Sequence, residues 1–266
     1  MNARSCQAVH IAVPLREAAG RSGIVRLRSS VAMAQPDVNS IVMSGRAIIR
    51  SVMIADKREH AAEVAKRLRK LYPQPIVELD YTTPFELMVA SLLAAQNRDT
   101  TINKITPNLF RKYRGPADYM AADPAELEQD IHLSGFFRQK TKAIRALSQK
   151  LIDDFGGEVP QTMEELITLP GIGRKTANVV LSFALGKAEG IVIDTHHLRL
   201  MPRLGLSEQR TADKMEKEMM EIVPKKDWIM WSSMITLHGR RICVAKKPKC
   251  GDCVLSDICP SAFQIS

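Results

Sequence analysis

The last part of the sequence concentrates four cysteines. Cys243, Cys250, Cys253 and Cys259 follow the pattern C-x6-C-x2-C-x5-C. Four thiolates in so short a segment can close around one metal centre, and their combined charge disfavours an empty site. This density argues against four unrelated buried cysteines and against a disulfide framework. The pattern by itself fits a tetrahedral zinc ion as well as an iron–sulfur cluster.

A lysine beside a pair of glycines is the second candidate. In Leu169-Pro-Gly-Ile-Gly-Arg-Lys175, Gly171 and Gly173 flank one apolar residue, which predicts a tight hairpin with positive φ angles. Outward-pointing N–H groups and the start of the next helix would suit a phosphate there. Lys175 would lie in the first turn of that helix, where a cation is disfavoured and the neutral, nucleophilic amine is favoured. Because most such turns merely join helices and most such lysines are solvated, these residues alone leave both interpretations open.

Asp194 is the third candidate, in the segment Val192-Ile-Asp-Thr-His196. Its place before a short helical pattern predicts an N-cap. A capping carboxylate is fixed in position and stays ionised at neutral pH, so capping does not conflict with a chemical role. We expect His196 to support the local structure rather than to take part in chemistry.

Helical signals position these residues almost without interruption from Lys57 onward. Thr83-Pro-Phe-Glu86 and Thr162-Met-Glu-Glu165 are typical of capping boxes, and Asp99 and Asp123 of further N-caps. Residues 190–193 are too short a β-type segment to build a sheet, so the sequence predicts an all-α fold. We expect Gly239 to end the helix that begins at Trp228. The inward positions predicted for two other helices are Val64, Leu68, Leu71 and Tyr72, and Ile144, Leu147, Leu151 and Ile152.

Composition narrows the class of partner. The 266 residues carry a net charge of +9, and the pI of about 9.4 favours a polyanion, nucleic acid before membrane. No apolar run approaches the roughly 18 residues of a membrane span. Aromatic residues make up only 5 %, which argues against a broad base-stacking platform for single strands. The cysteine pattern indicates a reducing compartment.

Residues 1–53 differ in composition from the rest of the chain. They contain seven arginines, no lysine, and only Glu17 and Asp37 as acids. Such a basic extension fits an organellar transit peptide, or upstream DNA translated from too early a start with Met43 or Met53 as the true beginning. We favour the second interpretation, and we assign Cys6 no role.

The string from Leu169 to Leu181, LPGIGRKTANVVL, strongly resembles the helix-hairpin-helix signature of the endonuclease III family of DNA glycosylase/lyases. The cysteine spacing resembles the [4Fe–4S] loop of the same family, and the resemblance spans roughly residues 56–260. It implies that Lys175 attacks the sugar. It implies that Asp194 stabilises positive charge at C1′ and helps to deprotonate the amine. The four cysteines would then hold a structural [4Fe–4S] cluster.

The resemblance also implies which residues contact DNA. Gln96 would fill the gap left by an extruded nucleotide, and Phe136 would wedge between the bases opposite. The family pattern is altered here, since Asn97-Arg98 precedes Asp99 and a phenylalanine replaces the more familiar leucine at 136. A polar helix end and a core phenylalanine remain the alternative. We also expect contacts from Gly171, Gly173 and Arg174 in the hairpin. Lys246, Lys247 and Lys249, just after Arg240 and Arg241, form a charge run that is usually explained by solvation; on a loop made rigid by the metal centre it would hold DNA phosphates in register.

The resemblance therefore implies a two-lobed helix-hairpin-helix glycosylase fold. Residues 75–186 would form a six-helix domain, and residues 54–74 with 187–266 an iron–sulfur cluster domain. The implied activity is bifunctional base-excision repair: removal of an oxidised pyrimidine from duplex DNA, then cleavage 3′ to the abasic site by β-elimination through a Schiff base on Lys175. The implied partner is double-stranded DNA with a damaged pyrimidine or abasic site, bound by a monomer in the cytoplasm, at the nucleoid.

Two alternatives remain at this point. The first is a mismatch adenine or thymine glycosylase of the same superfamily; the adenine-specific family usually lacks the lysine at position 175 and carries a catalytic glutamate where Ser91 stands. A non-enzymatic helix-hairpin-helix DNA-binding module with a structural zinc would need neither Lys175 nor Asp194. Incubation with an abasic-site duplex distinguishes such a module from an enzyme.

Overall fold

The computed structural model describes residues 56–265, and the predictions for residues 1–53 lie outside them. In this part of the chain the regular structure is entirely helical, as predicted. None of these helices is long and apolar enough to cross a membrane. The helices are α1 (56–71), α2 (Pro84–Ala94), α3 (Asp99–Lys112), α4 (Pro116–Ala121), α5 (Pro124–Asp130), α6 (Phe137–Phe155), α7 (Met163–Leu166), α8 (Arg174–Val179), α9 (Thr195–Arg203), α10 (Ala212–Ile222) and α11 (Trp228–Arg241).

The predicted helix starts are largely confirmed. Thr83 and Glu86 form a complete capping box on α2, and Asp123 caps α5 by accepting from the Ala125 N–H. Thr162 caps α7 by accepting from the Glu165 N–H. The prediction for Asp99 is wrong: Arg98 is the N-cap of α3 and makes no side-chain cap. The Asp99 carboxylate instead lies 2.6 Å from Nη2 of Arg240 on α11.

Two hydrophobic cores organise the helices. One is built from α2 to α8 and includes Leu87, Leu147 and Val180, all fully buried. The other is built from α1, α9, α10 and α11 and includes Leu68 and Trp231. Each core buries apolar side chains that water would otherwise surround, which is the main stabilising contribution to such a fold. Most residues of each core come from one predicted domain, although Val192 belongs to the first core. The division into domains 54–74 with 187–266 and 75–186 stays a prediction.

Three predictions from the sequence are wrong, two about burial and one about a helix end. Leu71 is 47 % exposed and Ile152 is 36 % exposed, because each lies at the edge of its helix's apolar stripe. Gly239 does not end α11, which continues to Arg241. A Cβ at Gly239 would lie 2.8 Å from the ring of His196. Glycine is therefore required there by the close approach of α9, and not by a helix end.

Candidate functional site

The glycine pair forms the predicted hairpin between α7 and α8, but only one glycine has a positive φ. Gly171 has φ of 78°, and a Cβ there would lie 2.8 Å from Cδ2 of Leu92. Gly173 has φ of −90° and is the N-cap of α8, so the prediction of a positive φ there is wrong. Helix α8 begins at Arg174, which places the exposed side chain of Lys175 in its first turn, as predicted.

Arg174 and Asn178, one turn apart on α8, converge on a buried carboxylate from α10. The Arg174 guanidinium donates to both oxygens of Glu216, at 2.6 and 3.0 Å. Asn178 donates its amide to the same carboxylate at 2.8 Å. The side chain of Glu216 is only 5 % exposed, and a carboxylate so buried requires such partners. The structure thus gives Arg174 a role in joining the two cores, and a DNA contact by Arg174 stays a prediction.

Asp194 is the N-cap of α9, as predicted. Its Oδ1 accepts from the backbone N–H groups of His196 and His197 at 2.8 and 3.0 Å. The Nδ1 atom of the His197 ring lies 3.0 Å from the same oxygen. The Thr236 hydroxyl, from α11, donates to Oδ2 at 3.0 Å. All the described partners therefore donate, and they hold the carboxylate in one orientation.

These donors keep Asp194 ionised. Burial alone would raise the pKa of Asp194, but the hydrogen bonds that it accepts from the ring and the backbone of His197 hold that pKa well below its usual range. Its neighbour His196 is held neutral, since burial and the nearby Arg199 and Arg240 guanidinium groups lower its pKa. Nδ1 of His196 lies 2.9 Å from Nη2 of Arg199 and so acts as the acceptor. The supporting role predicted for His196 agrees with these contacts.

One cleft brings the predicted reactive residues together. It has a volume of about 1060 Å³, and Lys175, Asp194, His196, Gln96 and Ser91 all line it. Lys175 belongs to the helix of the first core, whereas Asp194 caps a helix of the second. The Oγ atom of Ser91 is buried and without a hydrogen-bond partner. An amine and an ionised carboxylate in one cleft can perform nucleophilic attack next to a developing positive charge.

The two residues predicted to enter DNA stand at loop tips in the left-handed backbone region. Gln96 has φ of 57° and Phe136 has φ of 49°. Phe136 is 62 % exposed, so the alternative of a core phenylalanine is wrong. Leu133, which sequence reasoning missed, is 65 % exposed on the same loop as Phe136. An exposed apolar pair in one short loop is unusual for a solvated surface. A leucine just before Ser134-Gly135 was the available sequence signal.

The four cysteines line one small cavity between α9, α11 and the C-terminal loop. None of them forms a disulfide, and all are partly buried. Burial raises the pKa of the Cys253 and Cys259 thiols, and the neighbouring cysteines raise it further. Arg203 donates to Sγ of Cys243 at 3.3 Å, and the Leu255 N–H donates to Sγ of Cys253 at 3.4 Å. Donors aimed at sulfur fit a group that is bound through thiolates.

The four cysteines fit a metal centre that is bound through sulfur. All of them line the same cavity, none forms a disulfide, and each is partly buried. Four such thiolates can hold a [4Fe–4S] cluster, and a set of four cysteines also fits a zinc ion.

The lysines of the cysteine loop face solvent, whereas the two arginines before it are paired. Lys246, Lys247 and Lys249 are all exposed. Arg240 binds both Glu78 and Asp99, and Arg241 lies 3.0 Å from Glu78. Around the cysteine loop, the three lysines are therefore the exposed cations that do not pair with Glu78 or Asp99.

Comparison with known proteins gives a consistent result. Residues 89–225 match the HhH-GPD superfamily of base excision DNA repair proteins, and residues 243–259 match the iron–sulfur binding domain of endonuclease III. The chain is 46 % identical to endonuclease III of Synechocystis over 209 residues, which cover 79 % of this chain and 95 % of that protein. It is 36 % identical to endonuclease III of Escherichia coli K12 over 197 residues, 74 % of this chain and 93 % of that protein.

Solved structures are similar as well. A non-covalent endonuclease III–DNA complex superposes with a TM-score of 0.74 at 40 % identity, covering 78 % of this chain and 97 % of that one. A trapped covalent endonuclease III–DNA intermediate superposes with a TM-score of 0.73 at 40 % identity, with the same coverage. A thermostable thymine-DNA glycosylase shares the fold, with a TM-score of 0.69 at 22 % identity over 79 % of this chain and 98 % of that one.

Proposed function

Because this chain belongs to the endonuclease III family, we propose that Lys175 and Asp194 are the two residues that carry out its chemistry. The chain is a DNA base-excision repair enzyme, a glycosylase/lyase with a [4Fe–4S] cluster. The observation that carries the proposal is the single cleft lined by an exposed lysine and a buried, ionised carboxylate. A structural DNA-binding module would not need this pair.

The reaction begins with loss of the damaged base. The C1′–N bond breaks, the base leaves with the bonding electrons, and positive charge develops at C1′. Asp194 stabilises that charge through its fixed carboxylate, which folding has already oriented. Since its pKa is depressed, Asp194 is a weak proton acceptor. The electrostatic role is therefore better supported than the predicted role in deprotonating the amine.

Lys175 then forms the covalent link. Its Nζ bonds to C1′, and the amine loses its protons to solvent or to the departing base. The C1′–O4′ bond then breaks, O4′ takes up a proton from solvent, and the opened sugar is joined to Nζ as an imine at C1′. The C2′ proton passes to solvent and the C3′–O bond breaks, so that the phosphate leaves with the bonding electrons and the strand is cut 3′ to the abasic site. Water then hydrolyses the imine and frees Lys175.

The cysteines Cys243, Cys250, Cys253 and Cys259 would hold the cluster, whose contribution is to stabilise the loop that carries the exposed lysines. Lys246, Lys247 and Lys249 would contact phosphates and set the register of the duplex, while the Gly171–Gly173 hairpin would contact the backbone of the damaged strand. Gln96 and Phe136 would enter the duplex. These DNA-contact roles rest on exposure and loop position.

The preferred lesion would be an oxidised pyrimidine, acted on by a monomer that works in the cytoplasm at the nucleoid. A mismatch-adenine specificity is disfavoured by the residues of the cleft itself. The position where such enzymes would carry a catalytic glutamate holds Ser91, which lines the cleft without a charge. A panel of duplexes with one lesion each, scored separately for base release and strand cleavage, determines the specificity.

Borohydride trapping tests the role of Lys175. Reduction of the imine should leave a stable protein–DNA adduct on an abasic-site duplex. Lys175→Gln should bind that duplex but neither trap nor cleave it. Lys217→Gln, at an exposed position on α10, is the matched control and should behave as the wild type does. Trapping by Lys175→Gln would mean that another amine is the nucleophile, and base release without trapping by the wild type would remove the lyase step.

A further inference from the structure

A lysine is buried beneath the two loops that carry Gln96 and Phe136. Lys140, in the first turns of α6, is only 7 % exposed. Its Nζ donates to the carbonyl oxygens of Leu93 and Ser134, at 2.7 Å each. Both acceptors are neutral, and burial lowers the pKa of Lys140. Burying an amine beside neutral carbonyls is costly, so the position calls for an explanation beyond packing.

The two carbonyls are main-chain groups that their own segments leave without an N–H partner. Leu93 is near the end of α2, where the Asn97 N–H bonds to Ala94 rather than to Leu93. The last carbonyls of a helix require a partner from outside it. Ser134 closes the 3₁₀ turn that precedes Phe136. Lys140 thus joins the end of α2, just before the Gln96 loop, to the turn just before Phe136 through a single amine.

Asn97 makes a second connection between the same two loops. Its amide Nδ2 donates to the carbonyl oxygens of Leu133 and Ser134, at 3.2 and 2.8 Å. The Ser134 carbonyl therefore accepts from Asn97 and Lys140 together. The bonded residues lie within three positions of Gln96 on one loop and of Phe136 on the other. Two loops that share donors this close to their tips are fixed relative to each other.

We propose that Lys140 and Asn97 are positioning residues that hold the Gln96 and Phe136 loops at a fixed separation, so that both tips enter the duplex as one unit. This rests on the proposed function, in which these tips fill the gap and wedge the opposite strand. Both tip residues are non-glycine residues in the left-handed region, a conformation that persists only when the surroundings hold it in place. The clamp formed by Lys140 and Asn97 supplies that restraint.

The test compares two substrates that differ only in whether the lesion is base-paired. One duplex carries the lesion opposite its normal partner, and the other carries it in an unpaired bubble, where extrusion needs little wedging. Single-turnover base release is measured for the wild type, Lys140→Met and Asn97→Ala. The matched control is Lys150→Met, which removes a partly exposed amine that pairs with Asp154 near the far end of α6.

Lys140→Met should slow release from the paired duplex roughly 10- to 100-fold, as expected when a charge-assisted positioning bond is lost. Release from the bubble should change by less than about threefold, and Lys150→Met should match the wild type on both substrates. Equal losses on both substrates, or no loss on either, would overturn the proposal. If Lys140→Met does not fold, Asn97→Ala decides: it should show the same selectivity with a smaller amplitude, and an unselective effect would refute the clamp. A wild type that releases no base from either substrate would instead contradict the proposed function.

Discussion

Replacing Asp194 by asparagine separates its chemical role from its role in folding. The amide oxygen of asparagine can still accept from the His196 and His197 N–H groups, at the place where Oδ1 now accepts at 2.8 and 3.0 Å. The amide nitrogen would face Thr236, whose hydroxyl can turn from donor to acceptor. The cap of α9 should therefore survive the substitution, while the negative charge is lost.

The two consequences differ in size. Losing a charge at a partly buried helix N-terminus costs about 0.3–2 kcal/mol of unfolding free energy, which lowers Tm by only a few degrees in a protein of this size. Losing one electrostatic stabiliser of a charged transition state costs about 10²–10³-fold in rate, or about 2.7–4 kcal/mol. The loss in rate should thus clearly exceed the loss in stability.

The assay measures single-turnover base release from a lesion duplex and, separately, strand cleavage at a preformed abasic site. Asp194→Asn should slow base release by about 10²–10³-fold. It should slow strand cleavage less, because no base leaves from the abasic substrate. Equal slowing of both steps would refute the assignment of Asp194 to base release. A drop in Tm beyond about 10 °C would show instead that the charge is needed for folding.

Acid unfolding provides an independent check on the same carboxylate. The folded-state pKa of Asp194 is depressed, so its stabilising contribution is fully present above the unfolded value of about 3.9 and is lost as pH falls toward the folded value. Asp194→Asn should therefore be less stable than the wild type at neutral pH. The difference should shrink below about pH 4. A difference in unfolding free energy between the wild type and Asp194→Asn that stayed constant down to pH 2 would contradict the depressed pKa of Asp194.

Two further predictions concern packing and DNA affinity. Gly239→Ala places a methyl group 2.8 Å from the His196 ring and should cost about 1–3 kcal/mol in denaturant unfolding; an unchanged midpoint would mean that α9 and α11 separate easily. Neutralising Lys246 and Lys247 to alanine should weaken binding to damaged and undamaged duplex alike and flatten the salt dependence by about one unit per phosphate contact. Lys217→Ala is the control, and a loss confined to damaged DNA would show that the loop reads the lesion.

The sequence predicted what local chemistry determines. Asp194, Thr83 and Asp123 were recognisable as caps because a capping side chain acts within three residues of itself. The contacts that failed or were missed join residues far apart in sequence. Asp99 looks like a cap, yet it binds Arg240, which is 141 positions later. Lys140 looks like an ordinary first-turn lysine, and only the folded chain shows which carbonyls surround it.

The prediction for Gly239 failed for the same reason, because the contact that requires a glycine is made with a residue distant in sequence. A glycine near the end of a helical pattern is a common stop signal, and the sequence contains nothing to mark the His196 ring that packs against it. Phe136 was placed at a DNA wedge by resemblance alone; its exposure excludes a core position, and its contact with DNA stays a prediction. Leu133 was missed because its exposure depends on the turn it occupies.

Lys175 and Asp194 line one cleft but belong to helices of different cores. Lys175 lies on α8 and Asp194 caps α9, and the ion pairs Arg174–Glu216 and Arg240–Asp99 each link a helix of one core to a helix of the other. The distance between the Lys175 amine and the Asp194 carboxylate is therefore set by contacts between the two cores and not within one of them. A change that weakens either ion pair can therefore shift the Lys175 amine relative to the Asp194 carboxylate while the apolar interior of each core stays intact.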